Sequence, residues 1–498
     1  MKPRGDGVKH RVARSVVWLI WSRGVVQVMT LVSAALIARL LAPSDYGLLA
    51  LGNLWIYALS LVADLGLGTA IIQFAEAGDE ELNATFWLTM GASGIAALVV
   101  WVAAPGIAAS FGTPALSTVL RVLSATLPLT TIRLVPEGLL RRRLALDRLA
   151  QGNIAVAAIT VPVVFGLAWA GAGVWALVSG VIATLIVQAV TAFWFARWWP
   201  GVRVGGPHFG AMLRYGSATL GSRLCLTLYQ DVAEILVLGR VSGTAAVGFY
   251  SMAKQLATVP VEKVGVVVNQ IASPVMAELQ KDAAGLREGF LRAVRVVAWI
   301  TFPMCVGLML LGRDFVEVLL TSKWRSLAPS LYPLCLFSMV RSLDMLVTSV
   351  LLARYRARAL FHYQLVLLVL MPLAFLTGAL LGGGPGVAIA WAVAYPAVVL
   401  FMAREALRAI DATWGALAAE LWPPTLATLT LAGAFVGARW LLPVWPGEPA
   451  LARLIMMGIP AALAYIAVLT TLGGPIRAEI RQAAGWFIRP GTLLKAAE

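Results

Sequence analysis

Long apolar runs alternate with short polar or basic breaks along the chain. Such runs recur about 14 times, each near the ~20 residues a helix needs to cross a bilayer. The pattern predicts helices near 15–41, 46–73, 84–104, 114–140 and 151–169, with a sixth running to 196. A second series follows near 214–240, 246–273, 296–311, 327–352 and 361–381, with a twelfth running to 403. Two more cover 419–441 and 452–472. Pro43-Ser44-Asp45, Gly171 with Gly173, Ser242-Gly243 and Gly382 to Gly386 mark turns. The expectation is an all-α polytopic membrane protein.

Polar residues inside the apolar runs carry the interest. In Arg214 to Lys254, Arg223, Thr227, Gln230 and Glu234 fall within about 60° of one another at 100° per residue, with Asp231 beside them. Arg23, Gln27 and Thr30 make a similar stripe on the first helix. Asn53, Asp64 and Gln73 lie in the second. Helix 246–273 adds Gln255, Thr258, Glu262 and Asn269, near Lys254 and Lys263, with a kink point at Pro260. A charge at bilayer depth costs at least about 2.5–3.5 kcal/mol unless it faces protein or water. These stripes therefore either line a wet cavity or pair with one another or with a neighbouring helix. Arg341 and Asp344, three apart on the tenth helix, suit simple pairing.

The chain repeats itself. Ala38-Arg39-Leu40 with Tyr46-Gly47-Leu48 matches Gly239-Arg240-Val241 with Val247-Gly248-Phe249. Leu139-Leu140-Arg141-Arg142-Arg143 matches Leu351-Leu352-Ala353-Arg354-Tyr355-Arg356. Gly171-Ala172-Gly173-Val174 matches Gly384-Pro385-Gly386-Val387. Three matches in one order, about 200–213 residues apart, predict a parallel six-plus-six repeat. The expected organisation is a cytoplasmic N-terminus (1–14), a first lobe (15–196), a cytoplasmic linker (197–213), a second lobe (214–404), helices 13 and 14 (405–472) and a cytoplasmic tail (473–498). The two lobes are expected to enclose a central cavity. The repeat makes Arg23 and Arg223 counterparts.

Composition sharpens this. Of 498 residues, 60% are hydrophobic and 13% charged, against about 45–50% and 25% in soluble domains. The net charge of +15 sits between apolar helices, as the positive-inside rule requires, so nucleic acid is not an expected partner and both termini are expected in the cytoplasm. The first apolar run continues to Leu41 without a small-residue cleavage site, so no cleavable leader is expected. Cys225, Cys305 and Cys335 lie in apolar stretches and are expected as buried thiols. His10, His208 and His362 are far apart; no metal centre or cofactor is expected. There is no GxxxxGK[ST] loop for ATP, and Gly382 to Gly386 reads as a hairpin.

Several motifs together resemble the polysaccharide transporter family of the multidrug/oligosaccharidyl-lipid/polysaccharide exporter superfamily. They are Ala38-Arg39-Leu40-Leu41 to Tyr46-Gly47, Asp64-Leu65-Gly66-Leu67-Gly68 with Ile71-Ile72-Gln73, and Gly239-Arg240 to Gly248-Phe249-Tyr250. Ser273-Pro274 with Glu278-Leu279-Gln280, and Lys323-Trp324 with Ala328-Pro329, complete the set. Gln230-Asp231 stands where relatives often carry asparagine and aspartate two apart. The resemblance implies a flippase, not an enzyme. It would move undecaprenyl-pyrophosphate-linked oligosaccharide repeat units across a bacterial inner membrane by alternating access, for exopolysaccharide, capsule or O-antigen synthesis. It also implies polymerase and export proteins as partners. A pyrophosphate needs cationic donors, and arginine offers a bidentate fork. The candidate substrate-binding residues are Arg23, Gln27, Thr30, Arg223, Thr227, Gln230, Lys254 and Gln255. The candidate coupling-ion residues are Asp64, Asp231 and Glu234. Alternatives are a peptidoglycan lipid-precursor flippase, a drug/cation antiporter and a non-transporting scaffold of a glycan assembly complex. The buried arginines weigh against the antiporter, and buried charge itself weighs against the scaffold.

Overall fold

Helices account for the architecture of the computed structural model, which describes residues 33–74, 76–143, 145–267, 276, 279–441 and 449–472. No strand occurs among them. Among the described residues, eleven helices are long and apolar enough to cross a membrane. Two of these are double-length, Phe209–Glu262 and Arg358–Ala409, and each contains residues with non-helical dihedrals. Of the first expected helix, 15–32 lies outside the described residues.

The described residues divide into two units, Met1–Gly248 and Phe249–Glu498. In unit 1, α1 (Pro43–Asp64) is followed by α2 (Leu67–Gln73), α3 (Asp79–Ser110), α4 (Ala115–Ser124), α5 (Thr126–Ile132) and α6 (Leu134–Arg142). Then come α7 (Leu146–Trp169), α8 (Val174–Ala196) and α9 (Phe209–Thr227). A π-helical turn, Leu228–Val232, joins α9 to α10 (Ala233–Val267), which runs into unit 2. Unit 2 continues with α11 (Ala283–Leu319), α12 (Ala328–Ala353), α13 (Ala357–Ala409), α14 (Trp414–Leu441) and α15 (Ala450–Leu472).

The helix expected over 46–73 is two helices. Leu65 (φ 52) and Gly66 (φ 69) are left-handed, which ends α1 at Asp64 and starts α2 at Leu67. The turn expected at Ser242-Gly243 is a break at Gly243 (φ 78). The connector after α8 is strapped back onto α3. Asn83 Nδ2 donates to the Arg203 carbonyl (3.0 Å), Gly201 N–H donates to Asn83 Oδ1 (2.8 Å), and Trp87 Nε1 donates to the Gly201 carbonyl (2.9 Å). Cys305 and Cys335 are buried free thiols and Cys225 is half-buried.

The repeat appears inside each unit as matched contacts. Buried hydroxyls bridge Ser93 to Thr131 (2.8 Å) in unit 1, and Thr301 to Ser342 (3.1 Å) in unit 2. Arg142 Nη1 donates to the Ala77 carbonyl (3.0 Å); Arg354 Nη1 donates to the Gln280 carbonyl (3.1 Å). The hairpin glycines correspond in a register three residues away from the sequence match. Gly173 (φ 57, ψ −132) has its conformational twin in Gly383 (φ 56, ψ −132), not in Gly386. Within unit 1, Gly47 and Gly248 cross reciprocally. A Cβ on Gly47 would lie 1.8 Å from the Thr244 carbonyl oxygen, and one on Gly248 would lie 1.8 Å from that of Pro43. Only glycine permits so close a crossing.

The basic loop after α6 is largely absorbed by helix capping. Arg143 Nη1 donates to the Ala196 carbonyl and Arg148 Nη1 to that of Phe195, both at 2.9 Å, at the C-terminal end of α8. Cations belong there, because the last carbonyls of a helix lack internal partners.

Candidate functional site

In unit 1 the site forms where α9 crosses the break between α1 and α2. Gly216 permits the approach: a Cβ there would lie 2.5 Å from the Leu65 carbonyl oxygen. Arg223, two helical turns further and on the same side of α9, then meets Asp64. Its Nη1 is 3.8 Å from Asp64 Oδ2, and the arginine side chain remains 43% exposed. The other oxygen of Asp64, Oδ1, accepts from Gly68 N–H at 3.1 Å. The sequence allowed Arg223 to pair with Asp231 or Glu234 or with a neighbouring helix; the ion-pair partner found is Asp64, on the neighbouring α1.

Immediately beyond Thr227 the helix takes its π turn. That turn holds one extra residue and breaks the uniform phase on which the polar stripe was drawn. Thr227 and Glu234 are buried, while Asp231 is exposed. Gln230 Nε2 donates to the Tyr229 hydroxyl (2.8 Å). Asp231 and Glu234 are both already engaged with other groups. The turn falls on Gln230-Asp231. Arg23, Gln27 and Thr30 lie outside the described residues.

Unit 2 holds a second charged cluster, and most of it escaped the sequence reading. Asp344 on α12 is buried. Tyr395 hydroxyl donates to its Oδ2 (2.7 Å) and Tyr363 hydroxyl to its Oδ1 (3.2 Å). Arg341 Nη1 donates to the Tyr395 hydroxyl oxygen (3.1 Å), and its guanidinium lies 6.0 Å from that ring's centre. Lys254 Nζ lies 5.6 Å from the centre of the Trp391 ring. Phe337 packs on both Trp391 and Tyr395. Gln255 is exposed on α10. Two signals were available in the sequence: Phe337, Arg341 and Asp344 at helical spacing, and Trp391 with Tyr395 four apart. Together they give unit 2 cations held against aromatic faces, an arrangement worth more when desolvated.

Among the described residues, eleven candidate membrane-crossing helices with ionisable groups inside them define a polytopic all-helical fold. The solved "Lipid II flippase MurJ, inward closed conformation" shares it, with a TM-score of 0.73 at 12% identity, over 92% of this chain and 99% of that one. The family model for polysaccharide biosynthesis proteins matches residues 36–329, and the chain belongs to that family. It is 27% identical to the teichuronic acid biosynthesis protein TuaB of Bacillus subtilis (strain 168), over 69% of this chain and 71% of that protein. It is 26% identical to the lipopolysaccharide biosynthesis protein WzxC of Escherichia coli (strain K12), over 72% of this chain and 73% of that protein.

Proposed function

We propose that the chain flips undecaprenyl-pyrophosphate-linked oligosaccharide repeat units from the cytoplasmic to the periplasmic leaflet of the bacterial inner membrane, by alternating access. Its termini are cytoplasmic, and its six-plus-six lobes span 15–196 and 214–404, with two further helices in 405–472. Family membership supports the glycan pathway. One observation carries the mechanism: Arg223 is held to Asp64 by a long, half-exposed ion pair. Such a pair is worth little, about 0–1 kcal/mol. A pyrophosphate brings more charge and accepts both arms of the guanidinium fork, so it displaces Asp64. Arg23, on the counterpart helix, supplies the second cation. Gln27, Thr30, Thr227, Gln230 and Gln255 contribute hydroxyls and amides for the first sugars, and Lys254 a further charge.

Asp64, released when Arg223 turns to substrate, takes up the coupling cation, with Asp231 and Glu234 as further acceptors. Polymerase and export proteins receive the flipped unit. Complementation of a flippase-null strain tests the reading, with membrane levels checked by blotting. The chain is expected to restore glycan export. Arg223→Lys, which keeps charge but loses the fork, is expected to be impaired less than Arg223→Ala. Transport in vesicles that ignored both proton and sodium gradients would remove the coupling role of the acids.

A further inference from the structure

The foot of α13, in unit 2, carries cations that the proposed transport path does not use. α13 turns back on itself at Gly382 and Gly383, so its two ends meet. There Arg356 Nη1 lies 3.4 Å from Glu405 Oε2, and Arg408 Nη1 lies 3.2 Å from Glu405 Oε1. One carboxylate thus orients two exposed guanidiniums, each through a single arm, and each keeps most of its five N–H groups. Arg358 and Arg404 stand beside them, both exposed. Among the described residues neither side chain makes a hydrogen bond or an ion pair. Asp411, just beyond the helix, is the next acid in sequence, which leaves four arginines against two acids. Arg287 of α11 reaches the Asp411 carbonyl at 3.3 Å, and Glu288 beside it offsets its charge.

The depth of this cluster is set by the length of α13. At 1.5 Å per residue, Arg404 lies about 32 Å from Gly383, and Arg358 about 36 Å from Gly382. The hydrocarbon core of a bilayer is about 30 Å thick. With the hairpin at one face, the arginines therefore stand among the headgroups of the other. Phe401, Arg404 and Arg408 fall within about 60° of one another at 100° per residue. Phe401 is 63% exposed, so an apolar ring sits just below the guanidiniums on the same face. The basic loop of unit 1 is used differently. Arg142, Arg143 and Arg148 donate to backbone carbonyls there. In unit 2 only Arg354 repeats such a contact, and the cations that follow it are left facing outward.

We propose that the foot of α13 binds the headgroup of an anionic phospholipid. The phosphate bridges Arg404 and Arg408, Arg356 and Arg358 add charge around it, and an acyl chain lies along Phe401. A zwitterionic amine headgroup would bring its ammonium into a cluster of like charge. Glu405 offers that ammonium little, because both of its oxygens already face arginines. Assigning the lipid to the cytoplasmic leaflet rests on the orientation proposed above; the choice of headgroup does not.

The test is mass spectrometry of the intact, detergent-purified chain with phosphatidylglycerol or phosphatidylethanolamine of matched acyl chains added. Wild type is expected to retain phosphatidylglycerol preferentially. Arg404→Gln with Arg408→Gln should lower that adduct about tenfold, the loss of charge-assisted hydrogen bonds to one phosphate. Arg141→Gln with Arg203→Gln removes the same charge from exposed positions in unit 1 and should leave the adduct unchanged. Should the first double variant fail to fold, Arg404→Gln alone decides, since it removes no contact of the fold. It should lower the adduct about threefold. Equal retention of both lipids by wild type, or an equal fall in the two double variants, would overturn the proposal. So would displacement of bound phosphatidylglycerol by millimolar inorganic phosphate at constant ionic strength, which would assign the cluster to a soluble anion. None of these readouts depends on transport, so a failed complementation leaves them unaffected.

Discussion

Arg133 and Glu137 in unit 1, and Arg341 and Asp344 in unit 2, are acid–base sets on corresponding helices, yet they are built for different ends. The matched hydroxyl bridges, Ser93 to Thr131 and Thr301 to Ser342, fix the correspondence and set Arg133 opposite Asp344 in the repeat. In unit 2 the acid is buried and both of its oxygens accept from tyrosines. In unit 1 the ion pair is 22% exposed on each side, with Glu137 opening onto a groove. The Arg223–Asp64 pair of unit 1 is looser again. One repeated frame thus carries a locked charge cluster in one unit and displaceable ones in the other. Locked charge stabilises packing; displaceable charge can exchange partners with a ligand.

The largest expected effect follows from that contrast. Asp344→Ala removes the buried acceptor of two tyrosine hydroxyls, and removing one partner of a buried ionic network costs about 3–5 kcal/mol. The variant should lose membrane abundance and melt well below wild type. Glu137→Ala should cost about 1 kcal/mol or less. Equal melting shifts, read by tryptophan fluorescence in detergent, would erase the contrast.

The next effect sharpens the shared frame. Gly173 and Gly383 have one backbone conformation, open to glycine and strained for other residues. Alanine at either should cost about 1–3 kcal/mol, and by the same amount at both. A cost at only one would mean that the hairpins are not counterparts. Smaller still, Arg142→Ala and Arg354→Ala should each cost about 1 kcal/mol, because each loses one donor to a loop carbonyl.

The overall architecture was legible because apolar length and glycine turns are local signals. The Gly243 break and the Arg142/Arg354 correspondence were both readable in that way. The break after Asp64 was not, because Leu65 adopts a left-handed backbone that no leucine advertises; the signal was Gly66 and Gly68 beside an intramembrane acid. The π turn was hidden for a similar reason: uniform 100° phasing assumes a regular helix. The partner of Arg223 lies 159 residues away in sequence, and contact across that distance leaves no periodic trace. Tyr363 and Tyr395 were missed because their hydroxyls matter only once α13 brings them to Asp344.

The smallest effect expected on stability is joined to the largest on function. Arg223→Ala should change the melting temperature little, since its pair is long and half-exposed. Its transport should nevertheless fall, because a hydrogen bond to a charged group is worth about 1.5–3 kcal/mol when the substrate makes it. The most direct measurement is flipping of a pyrophosphate-linked oligosaccharide in proteoliposomes, at matched protein incorporation, by wild type and by the Arg23→Ala, Arg223→Ala double variant. A double variant that is folded but flips at least about a hundredfold more slowly is the predicted result. Wild-type flipping by that variant would contradict the assignment of the arginines to the pyrophosphate.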